Sequence, residues 1–146
     1  MKYSIVICLA TITLLLNGCK KDPAGSVSIV GTWELRQAQN GMIPTIDYAH
    51  GNGNMLIFSE SGYEKCETGN LVKSGHYKVV EDGSAEAEVG LVIPSGQFTN
   101  RIIFDNDFTS PKIFFEVSNN NLTLLSGYFP LDGGSNQSYE RIKDLH

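Results

Sequence analysis

A chain of 146 residues that is 41% apolar and only 18% charged is long enough to bury one core and too apolar for a disordered segment. Its 16 acidic residues against 11 basic ones leave a net charge of −5, which argues against an electropositive groove for nucleic acid.

Lys2 precedes an apolar run over residues 5–16, the length of a signal-peptide core and shorter than the ~20 residues that a spanning helix requires. The run ends in Leu16-Asn17-Gly18-Cys19, a small residue directly before a cysteine. This junction resembles the signal of bacterial lipoproteins. The resemblance implies that residues 1–18 are removed, that the Cys19 thiol carries a diacylglycerol thioether, and that its new amino group is acylated. Cleavage would take Lys2 and no acid, so the mature chain becomes slightly more acidic. Cys8 leaves with the signal and Cys19 is used by lipid, so Cys66 is left without a disulfide partner and reads as a small buried apolar residue. Residues 19–28, with Lys20, Lys21, Asp22, Pro23 and Gly25, read as a lipidated tether. Its basic and acidic start looks like that of outer-membrane lipoproteins, and the resemblance implies a lipid-anchored place in the cell envelope, at the outer membrane.

From residue 29 onward, short stretches rich in Val, Ile, Phe, Tyr and Thr alternate with Gly, Pro and Asn. Strands are expected at 30–39, 54–59, 63–68, 75–80, 86–93, 101–105, 112–118, 122–126 and 138–143, and no segment is expected to be helical. Trp33 and Leu35 alternate with Glu34 and Arg36, and Ile113, Phe115 and Val117 flank Glu116, giving each strand an inside and an outside. Phe114 and Phe115 are consecutive, so one of them must point out of the core toward a loop, a partner or a membrane. Ser59-Glu60-Ser61-Gly62 and Asn119-Asn120-Asn121 are turn signals that make the flanking strands hairpin neighbours in an antiparallel meander. Two segments, 40–53 and 127–137, are too long for tight turns and read as rims or lids. This pattern suits an up-and-down barrel or a two-sheet sandwich equally.

Particular residues favour the barrel. Gly31-Thr32-Trp33 opens the first strand, Phe58-Ser59-Glu60-Ser61-Gly62-Tyr63 forms the first hairpin, Gly75-His76-Tyr77 begins a middle strand, and Tyr139-Glu140-Arg141 closes the chain. From residue 29 to 142 this order resembles the lipocalin-like lipoproteins of Gram-negative bacteria. The resemblance implies an all-β, antiparallel up-and-down barrel of about eight strands occupying residues 29–146. It also implies structural roles for Gly31, Trp33 and Arg141 at the barrel floor, with the indole as plug and the guanidinium across its face.

The catalytic motifs sought are missing. His50, His76 and His146 stand at no metal-ligand spacing, Asp105-Asn106-Asp107 lacks the glycine and closing glutamate of a calcium loop, and no nucleophile motif occurs. The chain therefore reads as a non-enzymatic protein with no cofactor or metal. The expected partner is a small hydrophobic or amphipathic ligand, entering opposite Trp33 past rim segments 43–54 and 128–136. Tyr48, Tyr77, Tyr128 and Phe129 are the candidate contacts. The alternative is a structural or assembly lipoprotein whose outer surface binds another envelope protein.

Overall fold

The computed structural model describes residues 28–142. The expected signal (1–18), Cys19 and nearly all of the tether lie outside the described residues. The strands are β1 (Gly31–Asn40), β2 (Ile46–Asp47), β3 (Met55–Phe58), β4 (Gly62–Glu67), β5 (Asn70–Glu81), β6 (Asn100–Phe104), β7 (Ile113–Ser118), β8 (Asn121–Ser126) and β9 (Ser135–Ile142). A short helix α1 (Ala85–Val89) lies between β5 and β6, and a 3-10 turn (Phe129–Leu131) precedes β9.

Every pairing is antiparallel between neighbours, and β1 pairs with both β3 and β9, which closes eight strands into a barrel. The two-residue β2 pairs with β1 at Gln37 and Ala38, extending the side that β3 occupies lower down. One end of the barrel carries the start of β1, the β3–β4 and β7–β8 turns and the end of β9. The opposite end carries the connections 41–54, 68–69, 105–112 and 127–134.

Inward positions of the strands form one core containing Trp33, Leu35, Phe58, Tyr63, Phe115, Leu122 and Tyr139. Its lower half is packed with aromatic rings. Phe58 meets Tyr77 edge-on at 5.0 Å between centroids, and Tyr63 lies 4.5 Å from Phe104. The lower barrel is thus filled by its own side chains.

A second cluster sits outside the barrel wall: Phe114 and Leu125 are buried under Ala85, Val89 and Phe98. Of the consecutive pair, Phe115 faces the interior and Phe114 faces this cover, so a loop takes up the outward ring. The strand expected at 86–93 is a correction, since residues 85–89 are helical. Alanine and glutamate favour helix, Glu86 and Glu88 suit its N-terminal turn, and Ala85 and Val89 at i and i+4 share the buried face. Gly90 ends it with a left-handed φ of 69°, its N–H bonding the Glu86 carbonyl at 2.9 Å. Asp82 fastens this cover, lying 3.1 Å from Arg101 and 3.3 Å from Lys112, while Lys112 reaches Glu88 at 2.7 Å.

Two boundaries also differ. β5 begins at Asn70, and β9 begins at Ser135, so Asn136 and Gln137 belong to a strand rather than to the long loop expected there. Asp105-Asn106-Asp107 is a turn. The Asp107 carboxylate accepts from the Thr109 amide at 2.8 Å and its hydroxyl at 2.7 Å, a local turn motif that uses its oxygens.

Candidate functional site: a plugged floor and a half-open mouth

The pairing of β1 with β9 sets Trp33 directly opposite Arg141. Both side chains therefore lie on one face of the sheet at the end where the strands meet. Trp33 is completely buried, its Nε1 donating to the Ile29 carbonyl at 2.7 Å. The Arg141 guanidinium lies 4.2 Å from the indole centroid, within cation–π range, and Nη1 donates to the Val30 carbonyl at 2.8 Å. Gly31 fits between them with φ at +144°, and a Cβ there would run into the guanidinium. Gly31, Trp33 and Arg141 thus meet in one place and shut this end.

The other end is hollow. A cavity of about 460 Å³ opens there, walled by Leu35, Ala38 and Tyr139 from the interior faces of β1 and β9 and by Tyr48 from the 41–54 connection. Gln137, Asn54, Asn40, Lys65, Glu67 and Thr68 supply polar groups, and Cys66 is buried in the same wall. Several of these groups already have partners: the Tyr139 hydroxyl donates to Gln137 Oε1 at 2.8 Å, and Lys65 pairs with Glu67 at 2.7 Å. Burial pushes the Tyr139 phenol well above its ordinary range, which keeps it a neutral hydrogen-bonding group. The cavity is therefore amphipathic, with aliphatic and aromatic walls beneath amides, a phenol and the mutually paired Lys65 and Glu67. A smaller hollow of about 230 Å³ lies by the 105–112 connection, where Tyr63 donates to Asp105 at 2.9 Å and Lys73 approaches the same carboxylate at 3.6 Å.

Of the four candidate ligand contacts, Tyr48 alone lines the mouth cavity. Tyr77 belongs to the closed end. Its ring packs on Phe58, and its hydroxyl donates to the Ser59 carbonyl at 2.6 Å, in the β3–β4 turn. Tyr128 and Phe129 are turned outward. Phe129 packs against the outer cluster, and Tyr128 covers Gly90, where a Cβ would come within 2.6 Å of its ring. The outer cluster needs an aromatic cap at this point, and the 3-10 turn directs Phe129 to it. The rim segment 128–136 thus closes over α1 and not over the mouth.

The mouth owes its remaining wall to an unexpected group. Glu34 faces away from Trp33 yet is 97% buried, because the 48–54 segment folds over it. Its carboxylate accepts from Arg36 Nη1 at 2.5 Å and from the amides of Gly51 at 3.1 Å and Gly53 at 3.4 Å. Arg36 also binds Glu140 at 2.8 Å and lies 2.7 Å from His50 Nδ1. Arg36 is the extra residue of a β-bulge, since Leu35 pairs with Tyr139 and Gln37 with Ser138. The bulge restores Ala38 to the interior and holds Arg36 beside Glu34. Together they pin the segment that carries Tyr48 over the mouth. The composition of 48–54, with Gly51 and Gly53 flanking Asn52, is the one trace of this arrangement in the sequence.

Comparisons with protein-family models, with curated proteins and with solved structures found no match for this chain.

Proposed function

We propose that this chain is a lipid-anchored protein of the bacterial outer membrane whose barrel binds a small amphipathic molecule in its mouth, without turning it over. The observation that carries the reading is the cavity of about 460 Å³ at the end opposite the Trp33–Arg141 plug. That volume falls within the ~300–1,000 Å³ of small-molecule sites. Its mixed lining favours a ligand with an apolar body and a neutral polar end over a plain hydrocarbon. The order of motifs that resembles lipocalin-like lipoproteins, and the closed barrel found here, support the same reading.

Filling the mouth tests it. A polarity-sensitive apolar dye added to the chain lacking residues 1–18 and carrying Cys19→Ser should brighten saturably. Ala38→Trp, which projects an indole into the cavity, should weaken dye binding at least about tenfold, a loss of about 1.4 kcal/mol. A folded protein that does not brighten the dye, or an Ala38→Trp variant that binds it equally well, would remove the cavity as the binding site.

The anchor is tested separately. Each buried methylene stabilises the membrane-bound state by about 0.8 kcal/mol, so multiple acyl chains hold the protein essentially permanently. Cys19→Ala should abolish acylation, visible as a missing mass increment and as loss of the mature, detergent-partitioning form in the host. Normal processing and partitioning of that variant would refute lipidation at Cys19.

A further inference from the structure

Two connections at the open end, and the part of the β5–β6 connection that climbs the outer wall from the closed end to meet them at Gly90, carry neighbouring exposed apolar side chains with little charge among them. Met42, Val92 and Leu131 are 83%, 93% and 80% exposed, values that place whole aliphatic side chains in water. They are joined in space. The Met42 amide donates to the Asp132 carboxylate, the Gly41 amide bonds the Gly134 carbonyl at 2.7 Å, and Gly90 lies against Tyr128 and Pro130, with Leu91 and Val92 following. Residues 40–46, 90–100 and 127–138 contain a single charged side chain, Asp132, in a protein of net charge −5. That carboxylate is engaged by the Met42 amide. Exposed apolar side chains grouped in this way, with one charge among them, mark a contact surface.

We infer that this strip lies in the interface of the bilayer to which the chain is anchored, with Met42, Val92 and Leu131 inserted among zwitterionic lipids. The inference rests on the anchor reading above for bringing the domain to a membrane. Reach makes it feasible. β1 runs from Gly31 at the closed end to Asn40, two residues before Met42, a length of about 30 Å. Residues 19–28 can span up to about 35 Å, so a lipid on Cys19 and the strip can share one plane. The lack of Lys and Arg means that apolar insertion, and not attraction to anionic headgroups, holds the strip, so contact should resist salt. Tyr128, half exposed at the edge of the strip, has the apolar ring and polar tip that suit an interface. Asn40 lines the mouth cavity two residues from Met42, which sets the cavity opening beside the lipid and gives an amphipathic ligand a short path into it.

The test uses the chain in phosphatidylcholine vesicles whose acyl chains carry bromine, a contact quencher of indole. Trp33 is the single tryptophan and is fully buried, so it supplies a constant background. Val92→Trp and Leu131→Trp should lose roughly half of the added emission, since an interfacial side chain reaches the acyl boundary. Lys78→Trp, on β5 across the barrel, should lose none, and raised salt should change nothing. Equal emission at all three positions would overturn the proposal. So would indoles at 92 and 131 that are shielded from aqueous iodide but untouched by brominated lipid, because a second copy or another protein would then cover the strip. If the intact mass shows no acyl chains, the anchor reading has failed. The Cys19 thiol, in a Cys66→Ser background that leaves it the single thiol of the chain lacking residues 1–18, is then coupled to a maleimide lipid, and the same quenching pattern decides on the strip alone.

Discussion

Trp33→Ala is expected to destabilise the barrel by about 3–5 kcal/mol, the cost of deleting a large aromatic side chain from a packed site. Typical domains have only about 5–15 kcal/mol in total, so the variant should unfold at much lower urea. The loss has identifiable parts. The indole fills the floor without any exposed atom, its N–H satisfies the Ile29 carbonyl, and its face receives Arg141. Trp33→Phe keeps most of the plug and gives up the Ile29 hydrogen bond and part of the cation–π contact, so its cost should be nearer 1–2 kcal/mol. Urea unfolding followed by far-ultraviolet circular dichroism separates the two. A Trp33→Ala midpoint close to that of the parent would mean that the floor is not a keystone of closure.

Glu34→Ala should cost about 3 kcal/mol, the lower part of the range for breaking a buried ion pair, because Arg36 retains some contact with solvent. It strips the acceptor from Arg36 and from the Gly51 and Gly53 amides at once. Burial raises the carboxyl of Glu34, but the Arg36 hydrogen bond and the two amides together outweigh it and hold the group below its ordinary value. A carboxyl with a lower pKa folded than unfolded adds stability that is complete above its unfolded pKa, about 4.5, and disappears as pH falls through its folded value. Glu34→Gln should therefore flatten the acid limb of the stability profile. It should not abolish it, because Asp82 is also lowered, chiefly by the Ser84 hydroxyl. An acid limb unchanged in Glu34→Gln would contradict this assignment. Tyr48 gives a second readout, since release of 48–54 should weaken dye binding in the mouth.

Much of the barrel was legible because burial on one side leaves a period of two in the residues. Trp33, Leu35, Phe115 and Val117 lie on the interior, and the Ser59–Gly62 and Asn119–Asn121 turns join neighbouring strands as expected. The 86–93 segment misled because Glu86, Glu88 and Val89 also fit an alternating pattern. The spacing of Ala85 and Val89 and the glycine at 90 were the better signal. Glu34 read as an outward, wet residue, and it does face outward. Its burial comes from a loop that crosses the wall, and no local pattern encodes such a path.

The site was less legible than the fold. Gly31, Trp33 and Arg141 could be grouped through a family resemblance, and the register of β1 with β9 brings them together. The mouth depends on the bulge at Arg36, which shifts the inward set from Leu35 to Ala38 and so pairs Ala38 with Gln137 on the cavity wall. A count of alternate residues from Trp33 misses that shift. Loop length alone points Tyr128 and Phe129 to the rim, whereas the outer cluster takes the Phe129 ring and Tyr128 lies over Gly90 beside it.

The most direct test of a lipid-anchored barrel with an occupied mouth is native mass spectrometry of the full protein extracted from its own membranes, compared with the denatured mass. The expected result is a covalent increment of a diacylglycerol and a further acyl chain on Cys19, together with a noncovalent small-molecule adduct that is lost on denaturation and reduced in Ala38→Trp. An unmodified Cys19 together with a native mass equal to the denatured mass, in a protein that stays folded and monomeric, would contradict it.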